Sequence, residues 1–157
     1  MIYAAIGRLA VQNFKPKQLS ELSDTQERFR AASNNADPLE MVLENNRFHA
    51  IMGDMSGNVY LQPSLRRLLV DHARIGQTFF QPRNDDMRQR LQLAIEHHDG
   101  FISSIKSHDE DAVVDLVFKH WELSRENMEL YVVPDDMKAD VPVEIRALPG
   151  KTAIEKV

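Results

Sequence analysis

The sequence contains no cysteine, which excludes disulfides and thiolate metal sites and leaves any metal chemistry to nitrogen and oxygen ligands. It also lacks any run of eighteen or more apolar residues, so no segment reads as a membrane span. The first residues do not show the charged-then-apolar order of a secretory signal. A cytoplasmic protein without membrane contact is therefore expected. Basic residues are in short supply: 19 Lys and Arg stand against 24 Asp and Glu, for a formal net charge of -5. Without a dense basic run, the chain has no means of gripping nucleic acid by itself. No glycine-rich phosphate loop, internal repeat or low-complexity tract occurs.

What is present is enough apolar material, 43% of 157 residues, for one globular domain with its own core. Apolar residues recur three and four apart in nearly every segment, and no window alternates, so the reading is all-α, an antiparallel bundle of about six helices. The helices are expected at about residues 2–11, 16–32, 38–55, 59–80, 85–106 and 110–133. Their limits follow from local chemistry. Lys15-Pro16 stops the first helix, Asp37-Pro38 supplies an N-cap and a proline at the first helical position of the third, and Ser56-Gly57-Asn58 ends it. Residues 134–157 carry prolines and little periodicity and are expected to form an irregular tail after a helical domain over 1–133.

Polar residues interrupt three of the apolar faces. Leu39, Val42, Asn45, His49 and Met52 mark the third helix; Leu91, Ala94, Ile95, His98, Phe101, Ile102 and Ile105 the fifth; Val113, Leu116, Val117, His120 and Leu123 the sixth. A single histidine on such a face is more often a satisfied core residue than a ligand. Several imidazoles in one core are costly unless each finds a partner. The spacing lets them meet. His98 lies ten positions before His108 and His120 twelve after it. If the helices flanking Ser107-His108-Asp109 form an antiparallel hairpin, a rise of ~1.5 Å per residue puts both rings at nearly one height. Asn45 and His49 stand four apart and share a face. One divalent transition metal, zinc or nickel, would satisfy Asn45, His49, His98 and His120 together and retain open coordination positions. His97 should leave the shared face and His108 lies in the turn. His72 falls on the apolar stripe of the fourth helix, with Leu61, Leu65, Leu68, Ile75 and Phe79, and could line the same cavity. Arg74, nearby, could meet an anionic ligand.

The run Asn45-Asn46-Arg47-Phe48-His49, then Ser56-Gly57-Asn58, then Glu96-His97-His98 with His120 twenty-two positions later, resembles the FCD domain, the effector-binding domain of FadR-type regulators in the GntR family. The resemblance covers roughly residues 1–133. It implies an all-helical bundle in which an acidic or amide residue and three histidines hold a metal, here Asn45, His49, His98 and His120. Asn45 stands where Asp is commoner, so the site carries one negative charge fewer. The resemblance further implies a homodimer that contacts DNA only through an N-terminal winged helix-turn-helix, which this sequence does not include, so that a fragment of a longer regulator is expected. The ligand expected is a small carboxylate metabolite bound to the metal, with His72 and Arg74 as candidate effector contacts. No enzymatic activity is expected, because Glu96 and Asp99 should point away from the His98 face and leave no general base. Two other readings stay open: a metal-dependent enzyme on a helical bundle, and a metal-free module that binds a ligand or a partner protein.

Overall fold

A computed structural model describes residues 2–132, with the side chains of residue 75 and residues 126–132 left undescribed. The expected tail over 134–157 lies outside the described residues. Six helices follow in order: α1 (Ile2–Asn13), α2 (Pro16–Asn34), α3 (Pro38–Met55), α4 (Gln62–Phe79), α5 (Asp85–Lys106) and α6 (Glu110–Val132). No strand occurs among the described residues, so the all-α reading holds.

The helix limits follow from local capping. Asp37 accepts from the Glu40 amide at 3.1 Å and Pro38 opens α3. Asn84 accepts from the Met87 amide at 2.8 Å at the start of α5, and Asp109 accepts from the Ala112 amide at 2.9 Å at the start of α6. Gly57 adopts φ +63 just beyond α3, a backbone state that glycine enters without steric cost. The fourth helix begins three residues later than residue 59, where the sequence placed it. Asn58 Oδ1 accepts from the amides of Tyr60 and Leu61 at 3.0 and 3.2 Å, which holds these residues in a turn ahead of α4.

Two apolar clusters fill the bundle. One joins Ala10, Leu22, Phe48, Met52, Phe101 and Val113 with their neighbours; the other joins Phe29, Met41, Val42, Phe80, Leu91 and Ile95. α1 packs on α6 and α3, α2 on α3 and α5, α4 on α3 and α6, and α5 on α6. Leu39 departs from its expected place. It is 68% exposed, because the buried face of α3 begins only at Met41 and Val42.

Candidate metal centre

His49 on α3, His98 on α5 and His120 on α6 converge where the two apolar clusters meet. His98 stacks on Phe48 of the first cluster, with ring centroids 4.0 Å apart and planes within 5°, and tilts against Phe29 of the second at 5.2 Å. The α5–α6 turn at Ser107–Asp109 brings the histidine pair level, as the residue count across it required. Ring centroids of His49, His98 and His120 form a nearly equilateral triangle with sides of 5.2, 5.2 and 5.0 Å. His49 and His98 are fully buried and His120 is 6% exposed.

The three imidazoles each offer one ring nitrogen, and these atoms lie within 4.8 Å of one another. Their chemistry is that of ligands. Gln26 Nε2 donates to the Ile95 carbonyl and to Asp99 Oδ1, both at 3.0 Å. This fixes the orientation of the amide, so its Oε1, 3.0 Å from His98 Nδ1, faces the ring as an acceptor. His98 therefore carries its proton on Nδ1 and turns a bare Nε2 lone pair inward, where it is buried with no hydrogen-bond partner. Asp99 in turn is held by Arg30 at 2.8 Å through both carboxylate oxygens. On the opposite side, the Tyr3 hydroxyl pairs with His49 Nδ1 and lies 3.9 Å from Met52 Sδ, and His49 Nε2 is again buried without a partner. His120 Nδ1 is the third such orphan.

Orphaned buried nitrogens are rare because each forfeits its hydration. Three on rings that can bring ligand nitrogens within one ion's reach, two of them with the far nitrogen anchored, match the way proteins orient imidazole toward a metal. Burial also sets the protonation state. Desolvation and the neighbouring histidines push His49 and His120 well below the ordinary histidine range, and desolvation followed by His97 pushes His98 down to about 3. All three are thus neutral at pH 7, the form that binds metal. The residues present fit a transition metal with nitrogen preference.

Asn45, one turn before His49, is 8% exposed and lines a small cavity of about 30 Å³ together with His72, His120, Phe79 and Phe80, room for a water or two. His72 edges onto His49 at 5.7 Å between centroids, and desolvation lowers its pKa, opposed by Asp71. His72 and His120 also wall a second, larger cavity of about 240 Å³. Arg74 does not join them. It is exposed and lines a shallow depression on the outer surface of α3 and α4 with Arg47 and Arg66. Position 74 lies two residues from His72, and ~200° of helix rotation sets the two on opposite sides.

Gln26 and Tyr3 are not singled out by the sequence, and His97 lies nearer the cluster than its rotation implies. Gln26 and Tyr3 each hold the outer nitrogen of a ring. His97 is half-buried, 5.7 Å from His120 between ring centroids, with its Nδ1 unpartnered. Gln26 carried the same signal as the histidines, a polar residue between Leu22 and Phe29 on the buried stripe of α2.

Comparison with known proteins agrees with the bundle. The FCD domain family matches residues 1–123. Among solved structures, E. coli McbR/YncC superposes with a TM-score of 0.66 at 19% sequence identity, over 82% of this chain and 58% of that one. A likeness at that identity speaks for the fold alone, and the present chain spans somewhat more than half the length of that protein. No match was found among curated protein sequences.

Proposed function

The chain belongs to the FCD domain family, and from that premise we propose that it is the effector-sensing domain of a GntR-type transcription regulator. In this reading a small organic acid binds at a transition-metal centre held by Asn45, His49, His98 and His120. One observation carries the reading: three neutral, buried imidazoles, each with a ring nitrogen that lacks a hydrogen-bond partner, can offer ligand nitrogens within 4.8 Å of one another beside a cavity. Zinc or nickel suits such nitrogens, and a set of three histidines and one amide leaves coordination positions for a carboxylate.

The metal, when bound, supplies a Lewis-acidic site for the carboxylate; the chain supplies its shape and charge. Gln26 and Tyr3 hold His98 and His49 in fixed orientation. Asn45 contributes no charge, so the protein ligand set is neutral and the cation keeps its full attraction for an anion. Phe48, Phe29 and Phe101 surround the histidines and keep bulk water away, which strengthens that attraction. A sensing role is favoured over catalysis because the nearest carboxylate in sequence to His98, Asp99, is engaged by Arg30 and Gln26 and is not free to act as a general base. DNA contact would fall to a separate winged helix-turn-helix, and dimerisation would make the regulator a homodimer in the cytoplasm.

The test is elemental analysis of the purified protein before and after reconstitution with zinc and nickel, followed by calorimetric titration of small organic acids into metal-loaded and metal-free forms. About one metal per chain and acid binding only in the loaded form, with the acid recovered unchanged by NMR, is the expected result. No metal uptake, or steady conversion of a bound acid, would overturn the reading.

A further inference from the structure

The larger cavity constrains what the part of an effector beyond its carboxylate can be; the inference drawn here rests on the metal-carboxylate reading above. About 240 Å³ of space lies among α1, α4 and α6, walled by His72 and His120 on the side of the histidine cluster. Four of its described lining residues carry a side-chain group able to hydrogen-bond: Tyr3, His72, His120 and, through its indole N–H, Trp121. The Tyr3 hydroxyl is already committed to His49 and Met52, and His120 belongs to the cluster. His72 and the Trp121 indole, a donor only, are left to meet a ligand. The rest of the described wall is apolar: Leu65, Leu68, Leu69 and the ring of Trp121, with Ile2 at the edge. No guanidinium, ammonium, carboxylate or carboxamide faces the space among the described lining residues, and the arginines that could answer a second anion, Arg66 and Arg74, line the outer depression instead.

A sugar acid placed here would bury several hydroxyls, and a dicarboxylate a second charge, against a wall in which only His72 and the single N–H of Trp121 could pair with them. Such unpaired groups are expensive, and a site discriminates strongly on that basis. An apolar tail gains instead. Leu68 and Trp121 remain 40% and 41% exposed, so a tail that covers them removes apolar surface from water. A dry cavity of about 150 Å³ admits a benzene ring, so the space suffices for a phenyl group and a linking carbon. We infer that the effector is a monocarboxylate with an aryl or short branched alkyl tail, its tail lying against Leu65, Leu68, Leu69 and Trp121.

The experiment titrates phenylacetate, succinate and gluconate into the zinc-loaded full chain. Phenylacetate should bind at least about tenfold tighter than either of the others. Tighter binding of succinate or gluconate would overturn the apolar-tail inference while leaving the metal-carboxylate reading in place. Equal binding of phenylacetate to metal-free protein would overturn that reading and leave the apolar chamber occupied. Failure of all three acids to bind would overturn both. Leu68→Arg, at a rim position where the added charge reaches water, supplies the second arm: it should weaken phenylacetate by about tenfold and strengthen succinate. Unchanged phenylacetate affinity in a variant that keeps its helical content would place the tail elsewhere and overturn the inference.

Discussion

Gln26 Oε1 accepts the Nδ1 proton of His98 across 3.0 Å, seventy-two residues apart in sequence. The amide is itself pinned by Ile95 and Asp99, so the α2–α5 contact sets the tautomer of a ring that lies against α3 and α6. Gln26→Leu keeps the volume roughly constant and removes the acceptor. It should lower zinc affinity by about 10- to 100-fold, the usual cost of losing a group that orients a ligand, as read by competition with a chromogenic chelator. Nitrogen NMR of the apo protein should show His98 leaving its single tautomer. An unchanged tautomer in Gln26→Leu would show that the amide does not control the ring.

The three converging histidines should behave differently from the one in the turn. His49→Ala, His98→Ala and His120→Ala should each weaken zinc binding by more than about 100-fold, beyond the range of outer-sphere changes. His108 is exposed, with φ +58, and packs on Phe14 at 5.1 Å. His108→Asn, a residue that tolerates this backbone region, should leave zinc affinity within about twofold of the parent, well short of even the outer-sphere range. Equal losses at all four positions would dissolve the proposed ligand set.

Most of this arrangement is legible in the sequence, for identifiable reasons. Helix order and limits follow from the 3.6-residue period and from caps such as Asp37-Pro38, which acts as the sequence suggests. The three histidines stand out because imidazole at a core position calls for a partner. Gln26 meets the same criterion between Leu22 and Phe29, but an amide by itself is no preferred ligand for a nitrogen-seeking metal, so the pattern alone does not mark it as part of the site. Tyr3 lies at the start of the short first helix, where an aromatic residue in the opening turn reads as core packing rather than as a partner of His49. Rotation alone sets His97 away from the cluster; its ring nonetheless comes within 5.7 Å of that of His120 on α6. Arg74 shows the converse: its helical angle from His72 alone separates the two.

The pH dependence of the metal-free protein follows from the depressed histidines. His49, His98 and His120 are held neutral in the fold by desolvation, whereas in the unfolded chain each takes up a proton near pH 6.5. The unfolded state therefore binds more protons below that pH, and stability falls as the solution is acidified from about 6.5 toward the folded value, about 3 for His98. Each imidazole contributes a loss of roughly 1 kcal/mol between pH 7 and 5.5, about 3–4 kcal/mol for the three. Urea denaturation of chelator-treated protein at the two pH values measures it. Stability that stays flat over this interval would mean the rings are accessible to protons in the fold.

Gly53 couples α3, which carries His49, to the cavity wall. A Cβ at this position would lie 2.3 Å from Leu65 Cδ2, and Leu65 is only 3% exposed and lines the larger cavity. Gly53→Ala must therefore displace Leu65 or α4. It should destabilise the protein by about 1–3 kcal/mol through overpacking, despite alanine's better helix propensity. Combining it with Leu65→Ala should cost less than the sum of the two single changes, because the second removes the clash made by the first. Additive losses in chemical denaturation would place the strain elsewhere.

Asn45 offers the most direct test of how charge at the site is set. It stands one helical turn before His49, is 8% exposed and faces the small cavity that His72 and His120 also line. Replacing its amide by a carboxylate preserves shape and adds a negative charge beside the cation, with opposite consequences for two ligands. Asn45→Asp should tighten zinc binding, by about tenfold or more, because attraction between unit charges in a partly desolvated site amounts to some kcal/mol even at an effective dielectric near 20. The same charge should weaken a bound carboxylate effector, since the metal then presents less net positive charge to it. Chelator competition reads the first effect and calorimetry on the zinc-loaded protein the second. A gain in zinc affinity with no loss in acid affinity would mean that the acid does not reach the metal. No change in either would remove Asn45 from the site.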